Sequence, residues 1–347
     1  MASSKILLTG ATGYIGGAVL AQILESIPDV LAQHSISVLI RGQEKIAVYE
    51  KMGVKPILFK SLDETDFLQK LASGYDIIIH TASGFHTASA KALVTGLGDR
   101  KKQTGKEVHY IHTTGTSNLG DQPISGKYHE DRIFSDKEDI FAYEKMRESK
   151  QIYAQRTTDI AAVETGLANG VQTHLIMSPT IYGVGSGKFN KLSIQVPKLI
   201  RASLKAGHAL VIGDGKGVWN YVHINDLADL YVILLQKILN GEKVPVGEQI
   251  MFSETGTFAW IDLSQHIADA LHELGAVETN VVGRVELQDA ADLLANGNLL
   301  GTELGFTSTS ITKSELAREL GWKPVKTEKD FKSHFLEEAK LILAETN

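Results

Sequence analysis

The sequence predicts an α/β architecture: a doubly wound parallel sheet followed by a smaller α+β capping region. Three observations carry this. Short apolar runs alternate with helical segments five times over roughly the first 115 residues, the pattern of strands joined by crossover helices. A glycine-rich turn, Gly10-Ala11-Thr12-Gly13-Tyr14-Ile15-Gly16, joins the first run to the first helix. Beyond about residue 184 the alternation gives way to short strands mixed with small helices. The expected division is a sheet domain over 1–178 and a mostly capping region over 179–347, part of which, about 209–252, returns to the sheet.

Ile6-Leu7-Leu8 reads as a strand because an unbroken apolar run suits one covered on both faces. Tyr14 to Ile27 reads as the first helix, with a break at Pro28-Asp29. Between them, Gly10 permits the tight turn, Gly13 lets backbone approach a pyrophosphate, and Gly16 lets helix pack close to strand. The helix start also offers free N–H groups to phosphates. This context makes the turn a dinucleotide site, with Gly10, Thr12, Gly13, Tyr14, Ile15 and Gly16 as contacts, and makes the sheet Rossmann-like. The second strand, Ile36 to Ile40, ends in Arg41-Gly42-Gln43-Glu44-Lys45. A carboxylate at that tip would hold the ribose 2′-OH of NAD(H). Arg41, with Lys45 one turn on, suits the 2′-phosphate of NADP(H) instead, so NADP(H) is preferred over NAD(H).

Pro56 to Phe59 forms the third strand, with Leu62 and Asp63 at its end. Asp63 reads either as an adenine contact or as the N-cap of a helix over 63–73. The fourth strand, Tyr75 to His80, ends in Thr81-Ala82-Ser83, small residues that leave room for the cofactor, with Phe85 and His86 on the rim of the cleft. A helix over 89–104 leads to the fifth strand, Val108 to His112, and then Thr113-Thr114-Gly115-Thr116-Ser117. Residues 118–149 read as a long polar surface loop with at most one short helix. A helix over 151–168 and a strand over 171–177 follow. Later elements are a helix over 191–205, short strands near 209–212 and 219–224, a helix capped by Asn225 or Asp226 and running to Leu239, a helix stopped by Gly321 and Pro324, and a last helix over 327–344.

Composition narrows the function. The 347 residues are 43% hydrophobic, enough for a large core, and the net charge of −6 with no basic patch argues against nucleic acid or an anionic membrane as partner. There is no cysteine, which excludes disulfides, thiol catalysis and thiolate metal sites. The 12 histidines are scattered without ligand spacing, so no metal is expected. The longest apolar stretch, Leu227 to Leu239, is short and carries Asp229 and Gln236. Met1 to Lys5 run straight into the first strand and leave no room for a secretory signal, so a cytoplasmic location is expected.

Five segments together resemble the extended short-chain dehydrogenases/reductases of the NAD-dependent epimerase/dehydratase type. They are Thr9 to Gly16, His112 to Ser117, Pro179-Thr180-Ile181-Tyr182-Gly183, Gly213-Asp214-Gly215 with Tyr221 to Ala228, and Leu320-Gly321-Trp322-Lys323-Pro324. The resemblance covers nearly the whole chain. It implies a substrate cap over the Rossmann-like domain and adds Thr113 and Pro179 to the cofactor contacts. It also implies a small-molecule substrate near Phe85, His86, Gly115, Tyr182, Trp219 and Tyr221, and a homodimer formed through helices near 90–104 and 151–168.

The family's proton transfer uses a Tyr with a Lys four residues on, helped by a Ser or Thr. The ammonium lowers the phenol's pKa and holds the nicotinamide ribose. This chain departs from that pattern. Tyr128, Tyr143 and Tyr153 are followed at that spacing by Arg132, Arg147 and Thr157. Alignment on Asp159 puts Gln151 and Gln155 at the Tyr and Lys places, and Gly115 at the Ser/Thr place. Thr114, Thr116 and Tyr143 are the candidate catalytic residues, with Tyr128, Tyr153, His86 and His223 as further groups near the cleft. Three readings stay open. The first is an NADP(H)-dependent oxidoreductase acting on a small carbonyl or imine with an atypical proton donor. The second is a non-redox isomerase or cyclase using NADP(H) structurally. The third is a binding protein that senses NADP(H), like the NmrA-like regulators.

Overall fold

The computed structural model describes residues 3–27 and 29–346; Met1 and Ala2 of the N-terminal segment, Pro28 of the expected break, and Asn347 lie outside the described residues. The central sheet has seven parallel strands: β1 (Lys5–Thr9), β2 (Ser35–Ile40), β3 (Lys55–Leu58), β4 (Ile77–His80), β5 (His109–Gly115), β6 (Gln172–Ser178) and β7 (Met251–Phe252). Their spatial order is β7-β6-β5-β4-β1-β2-β3. The order reverses at β1, whose Thr9 pairs with His80 of β4 on one side and Leu39 of β2 on the other. A crevice opens beyond the carboxyl ends at such a reversal, and the glycine turn lies there.

Helices cover both faces. On one, α1 (Tyr14–Ser26) packs with a helix of the later chain, Ile224–Leu239, around Ile6, Leu8, Val38 and Ile79. On the other, α2 (Thr87–Thr104) packs with the helix Thr65–Ala72 and with α4 (Ala154–Asn169), around Leu7, Ile78, Leu93 and Tyr110. Alternate residues of β1 and β4 thus feed opposite cores, as the two-residue strand period requires. The helix over the expected loop, α3 (Ile140–Lys150), is longer than the sequence suggested. Its polar residues Glu144 and Arg147 are buried and paired, so a core-facing stripe was disguised by charge.

The cap has its own core. Strands Thr180–Tyr182, Val218–His223 and Gly256–Ala259 form a small sheet. It packs with Trp260, Phe331 and Phe335 from the helices Trp260–Glu273 and Glu328–Thr346. Asp136 pins cap to sheet: its carboxylate accepts from the backbone N–H groups of Phe252, Glu315 and Leu316. The cap of the Ile224–Leu239 helix differs from expectation. His223 Nδ1 accepts from Asn225 N, while Asp226 turns away to accept from Val325 and Lys326 N–H groups. Among the described residues no helix is long and apolar enough to cross a membrane.

Candidate active site

The nucleotide half is built from backbone. Gly10 has φ +78°, and a Cβ there would stand 2.7 Å from the Ala82 amide nitrogen and Thr81 Oγ1. A Cβ on Gly16 would collide with Thr81 Oγ1 and the Gly10 carbonyl. Thr81 Oγ1 donates to the Thr9 carbonyl at 2.7 Å, and Gly13 N donates to Gly10 O at 2.8 Å. The turn is therefore pressed onto the end of β4 as tightly as backbone allows. Gly13 is the N-cap of α1 and has no side chain to occupy the helix end, so the first-turn amides lack a capping acceptor. A cradle with no room for a Cβ and with free donors at its mouth fits a dinucleotide pyrophosphate. Thr12 and Ile15 are half-buried at this turn, and Tyr14 is buried, its hydroxyl donating to Gly183 O at 2.6 Å.

At the tip of β2, Arg41 is exposed and its guanidinium makes no hydrogen bond or ion pair with any described residue. Lys45 Nζ donates to Arg41 O at 3.1 Å and lies 3.6 Å from Glu44. Leu62 packs partly under the sheet's second core. Asp63 is not the cap of its helix, where Glu64 stands; its carboxylate meets His86 Nε2 at 3.0 Å and Ser61 Oγ at 2.9 Å. Those hydrogen bonds, with His86 first, hold the Asp63 carboxyl below its ordinary pKa. His86 also caps α2 by accepting from Ser89 N. Ser83 O lies 3.2 Å from His80 Nε2, and Ser83 Oγ accepts from Phe85 N. Thr113 Oγ1 is 2.5 Å from Tyr231 OH, and Pro179 is buried after β6.

The candidate catalytic groups gather at the ends of β4 and β5. Ser117 Oγ donates to Gln155 Oε1 at 2.6 Å, and Tyr153 OH donates to Ser117 Oγ at 3.2 Å. Tyr153 is the N-cap of α4, so its ring leaves the helix start toward the end of β5. Phe85, 52% exposed on the rim, meets that ring edge-on at 5.9 Å. A Cβ on Gly115 would lie 3.0 Å from Gln155 Nε2, and one on Gly84 would lie 3.3 Å from it. Gln155 therefore lies directly over the backbone of both loops. Burial raises the Tyr153 phenol above its ordinary pKa, with Ser117 and Arg156 pulling the other way. It stays protonated at neutral pH.

Thr114 Oγ1 donates to Asp159 Oδ2 at 2.6 Å, inside a buried group with Asn118, Glu144 and His112. Burial, then the Asp159 charge, pushes the Glu144 carboxyl well above its ordinary pKa. Thr116 is fully buried and its hydroxyl has no partner, while its carbonyl accepts from Ser310 Oγ of the cap. Tyr143 sits in a separate cluster, bonded by Arg147 Nη1 at 2.8 Å and packed on Phe134, with Tyr128 OH at 3.2 Å. Gln151 ends α3 and gives its carbonyl to Arg156. His223 is spent on capping, and burial lowers it to about 4. Tyr182, Trp219 and Tyr221 are buried in the cap core, where Tyr221 stacks on Phe331 at 4.0 Å and Trp219 Nε1 donates to Ser308. The structure brings Ser117, Tyr153, Gln155 and Phe85 together. No spacing rule pointed to the first pair, because their contact depends on the short turn Thr116–Asn118 after β5. Among the described residues no three His, Cys, Asp or Glu side chains converge as a metal site.

Fold and glycine cradle define a nucleotide-dependent enzyme of the short-chain dehydrogenase/reductase type. Residues 6–247 match the model of the NAD dependent epimerase/dehydratase family, and the chain belongs to that family. The oxidase ucsJ of Acremonium sp is 28% identical over 338 residues, 93% of each chain. The UDP-N-acetyl-alpha-D-glucosaminuronate decarboxylase of Bacillus cytotoxicus is 22% identical over 293 residues, 80% of this chain and 82% of that one. The crystal structure of DesIV, a dTDP-glucose 4,6-dehydratase from Streptomyces venezuelae with NAD and TYD bound, superposes with a TM-score of 0.65 at 16% identity, covering 98% of this chain and 97% of that one.

Proposed function

We propose that this protein is an NADP(H)-dependent oxidoreductase that reduces a small carbonyl or imine, with Tyr153 as proton donor and Ser117 as its partner. The observation that carries the reading is the Tyr153–Ser117–Gln155 chain of hydrogen bonds at the end of β5. Arg41, unpaired at the tip of β2, supports the 2′-phosphate. The glycine turn, with Thr81 and Ala82, would hold the pyrophosphate, and the bound nicotinamide would supply a hydride.

This chain's own residues then manage the proton. In a family member with a lysine, the ammonium makes tyrosinate accessible. Gln155 is neutral and cannot do so, and burial keeps the Tyr153 proton in place. Tyr153 therefore suits donation to a substrate oxygen or nitrogen better than abstraction. At rest the phenol gives its hydrogen to Ser117 Oγ and Ser117 gives its own to Gln155 Oε1; donation requires the phenol to turn its hydrogen to the substrate while Ser117 turns its own from Gln155 to the phenolate oxygen left behind. An imine suits this arrangement, since its nitrogen is basic and takes a proton before hydride arrives. The expected partners are a small-molecule substrate and a second copy of the chain, in the cytoplasm.

The absence of lysine beside Tyr153 also favours a second reading, a non-redox isomerase or cyclase with NADP(H) held structurally. One assay separates the two. Protein with NADPH and a panel of aldehydes, ketones and imines is followed at the absorbance of reduced nicotinamide. Substrate-dependent oxidation supports the reductase. Product formation without oxidation supports the second reading, and cofactor binding with neither supports an NADP(H) sensor.

A further inference from the structure

Residues Gly183 to Lys191 leave the cap and run across the glycine turn. Tyr14 OH donates to Gly183 O at 2.6 Å, and a Cβ on Gly185 would touch the Tyr14 ring at 3.0 Å. Gly187 meets Gly17 of α1 backbone to backbone: a Cβ on Gly187 would stand 2.8 Å from Gly17 Cα. Asn190 N donates to Thr12 O at 3.3 Å, and Gly185 N to Lys191 O at 2.9 Å, closing the segment into a loop. Gly17 lies outside the spacing that makes the nucleotide turn. Its contact with Gly187 gives it a role.

The loop ends at the tip of β2. Phe189 lies 5.7 Å from the Tyr49 ring, and Lys45 Nζ sits 5.6 Å above the Phe189 ring. The same Nζ donates to the carbonyl of Arg41. Phe189 thus anchors the loop beside Lys45, whose ammonium reaches the Arg41 carbonyl. Lys188 is exposed and makes no hydrogen bond or ion pair with any described residue. It lines, with Ala11, Leu24, Glu25, Tyr49 and Gly187, a cavity of about 340 Å³ that runs from the turn along α1. The Tyr49 hydroxyl is buried there without a partner.

We propose that Lys188 is a third cation of the 2′-phosphate subsite, carried to the tip of β2 by this clasp from the cap side of the chain. The proposal rests on the NADP(H) reading above. A phosphate monoester carries nearly two charges, and two unpaired cations approaching from separate elements neutralise it better than Arg41 alone. An ammonium on a flexible stem adds attraction without demanding one geometry. Cofactor choice would then be read partly by residues more than 140 positions beyond β2 in sequence.

The test titrates the full-length protein with 2′,5′-ADP and with 5′-AMP by calorimetry, comparing wild type with Lys188→Ala, Lys188→Arg and Gly187→Val. Wild type should prefer 2′,5′-ADP. Lys188→Ala should weaken 2′,5′-ADP about tenfold while 5′-AMP changes less than twofold, and Lys188→Arg should keep the preference. Gly187→Val, which drives the clasp off Gly17 without altering charge, should reproduce the lost preference. A wild type that prefers 2′,5′-ADP alongside a Lys188→Ala variant with the same preference overturns the role of Lys188 and leaves the NADP(H) reading standing. A wild type with no preference overturns both.

Discussion

Glu338 offers a sharp test of how a buried carboxyl of the cap is protonated. It lies on the helix Glu328–Thr346, is 0% exposed, and neither carboxyl oxygen has a hydrogen-bond partner; the Ser193 hydroxyl nearby is unpartnered too. Burial pushes its pKa up to about 8. The folded state therefore holds a proton that the unfolded chain releases above about 4.5, and stability contributed by this group falls as pH rises between those values. His334 beside it is lowered to about 3 by burial, so its contribution has the opposite sign, rising from pH 3 to its unfolded value of 6.5 and flat beyond. Above pH 6.5 only Glu338 of this pair acts. At 1.36 kcal/mol per pH unit up to the folded pKa, the wild type should lose about 2 kcal/mol from this group between pH 6.5 and pH 9. Glu338→Gln keeps the shape and removes the titration. Urea unfolding at pH 6.5, 7.5, 8.5 and 9 should show the variant gaining on wild type by about that amount. Parallel stability curves for the two proteins would refute the reasoning, because they would mean that the carboxyl is solvated when ionised.

Two further perturbations address the nucleotide site. Arg41→Ala should weaken NADPH binding by an amount on the order of 1.5–3 kcal/mol, the range for a hydrogen bond to a charged group, and leave NADH within twofold when both are titrated by nicotinamide fluorescence. Gly16→Val places a branched side chain against Thr81 Oγ1 and the Gly10 carbonyl, so it should abolish detectable binding of either dinucleotide and lower stability by roughly 1–3 kcal/mol in thermal unfolding.

Much of the nucleotide domain was legible because its signals are local. Apolar runs such as Ile77-Ile78-Ile79 have the length of buried strands, and Gly10 and Gly16 sit where strand, turn and helix dictate their use. β1 to β4 and β6 match the sequence reading within a residue or two; β5 continues through Thr113, Thr114 and Gly115 because β6 pairs with it that far, and β7, only two residues long, carries no strand signal of its own. Legibility failed where polar residues are buried in company. Helix α3 reads as a surface loop because Glu144 and Arg147 read as solvated, yet inside the protein Asn118 donates to one Glu144 oxygen, and Arg147 donates to Tyr143 and two backbone carbonyls. Tyr182, Trp219 and Tyr221 have the composition of a pocket wall, and composition cannot distinguish that from the stacked aromatic core in which they lie. The Ser117–Tyr153 contact joins residues 36 apart through the turn after β5 and the N-cap of α4, so no helical spacing announces it.

The most direct measurement of the proposed function is NADPH oxidation by wild type and by Tyr153→Phe against the same panel of aldehydes, ketones and imines. The expected result is substrate-dependent oxidation by wild type and a kcat lowered by roughly 10²–10⁴ in the variant, the range for loss of a general acid, with NADPH affinity unchanged. The loss should be larger for ketones than for imines, whose nitrogen brings its own proton. Oxidation of any panel member at full rate by Tyr153→Phe would contradict the assignment of the proton donor. Tight NADPH binding by wild type with no oxidation across the panel would contradict hydride transfer itself.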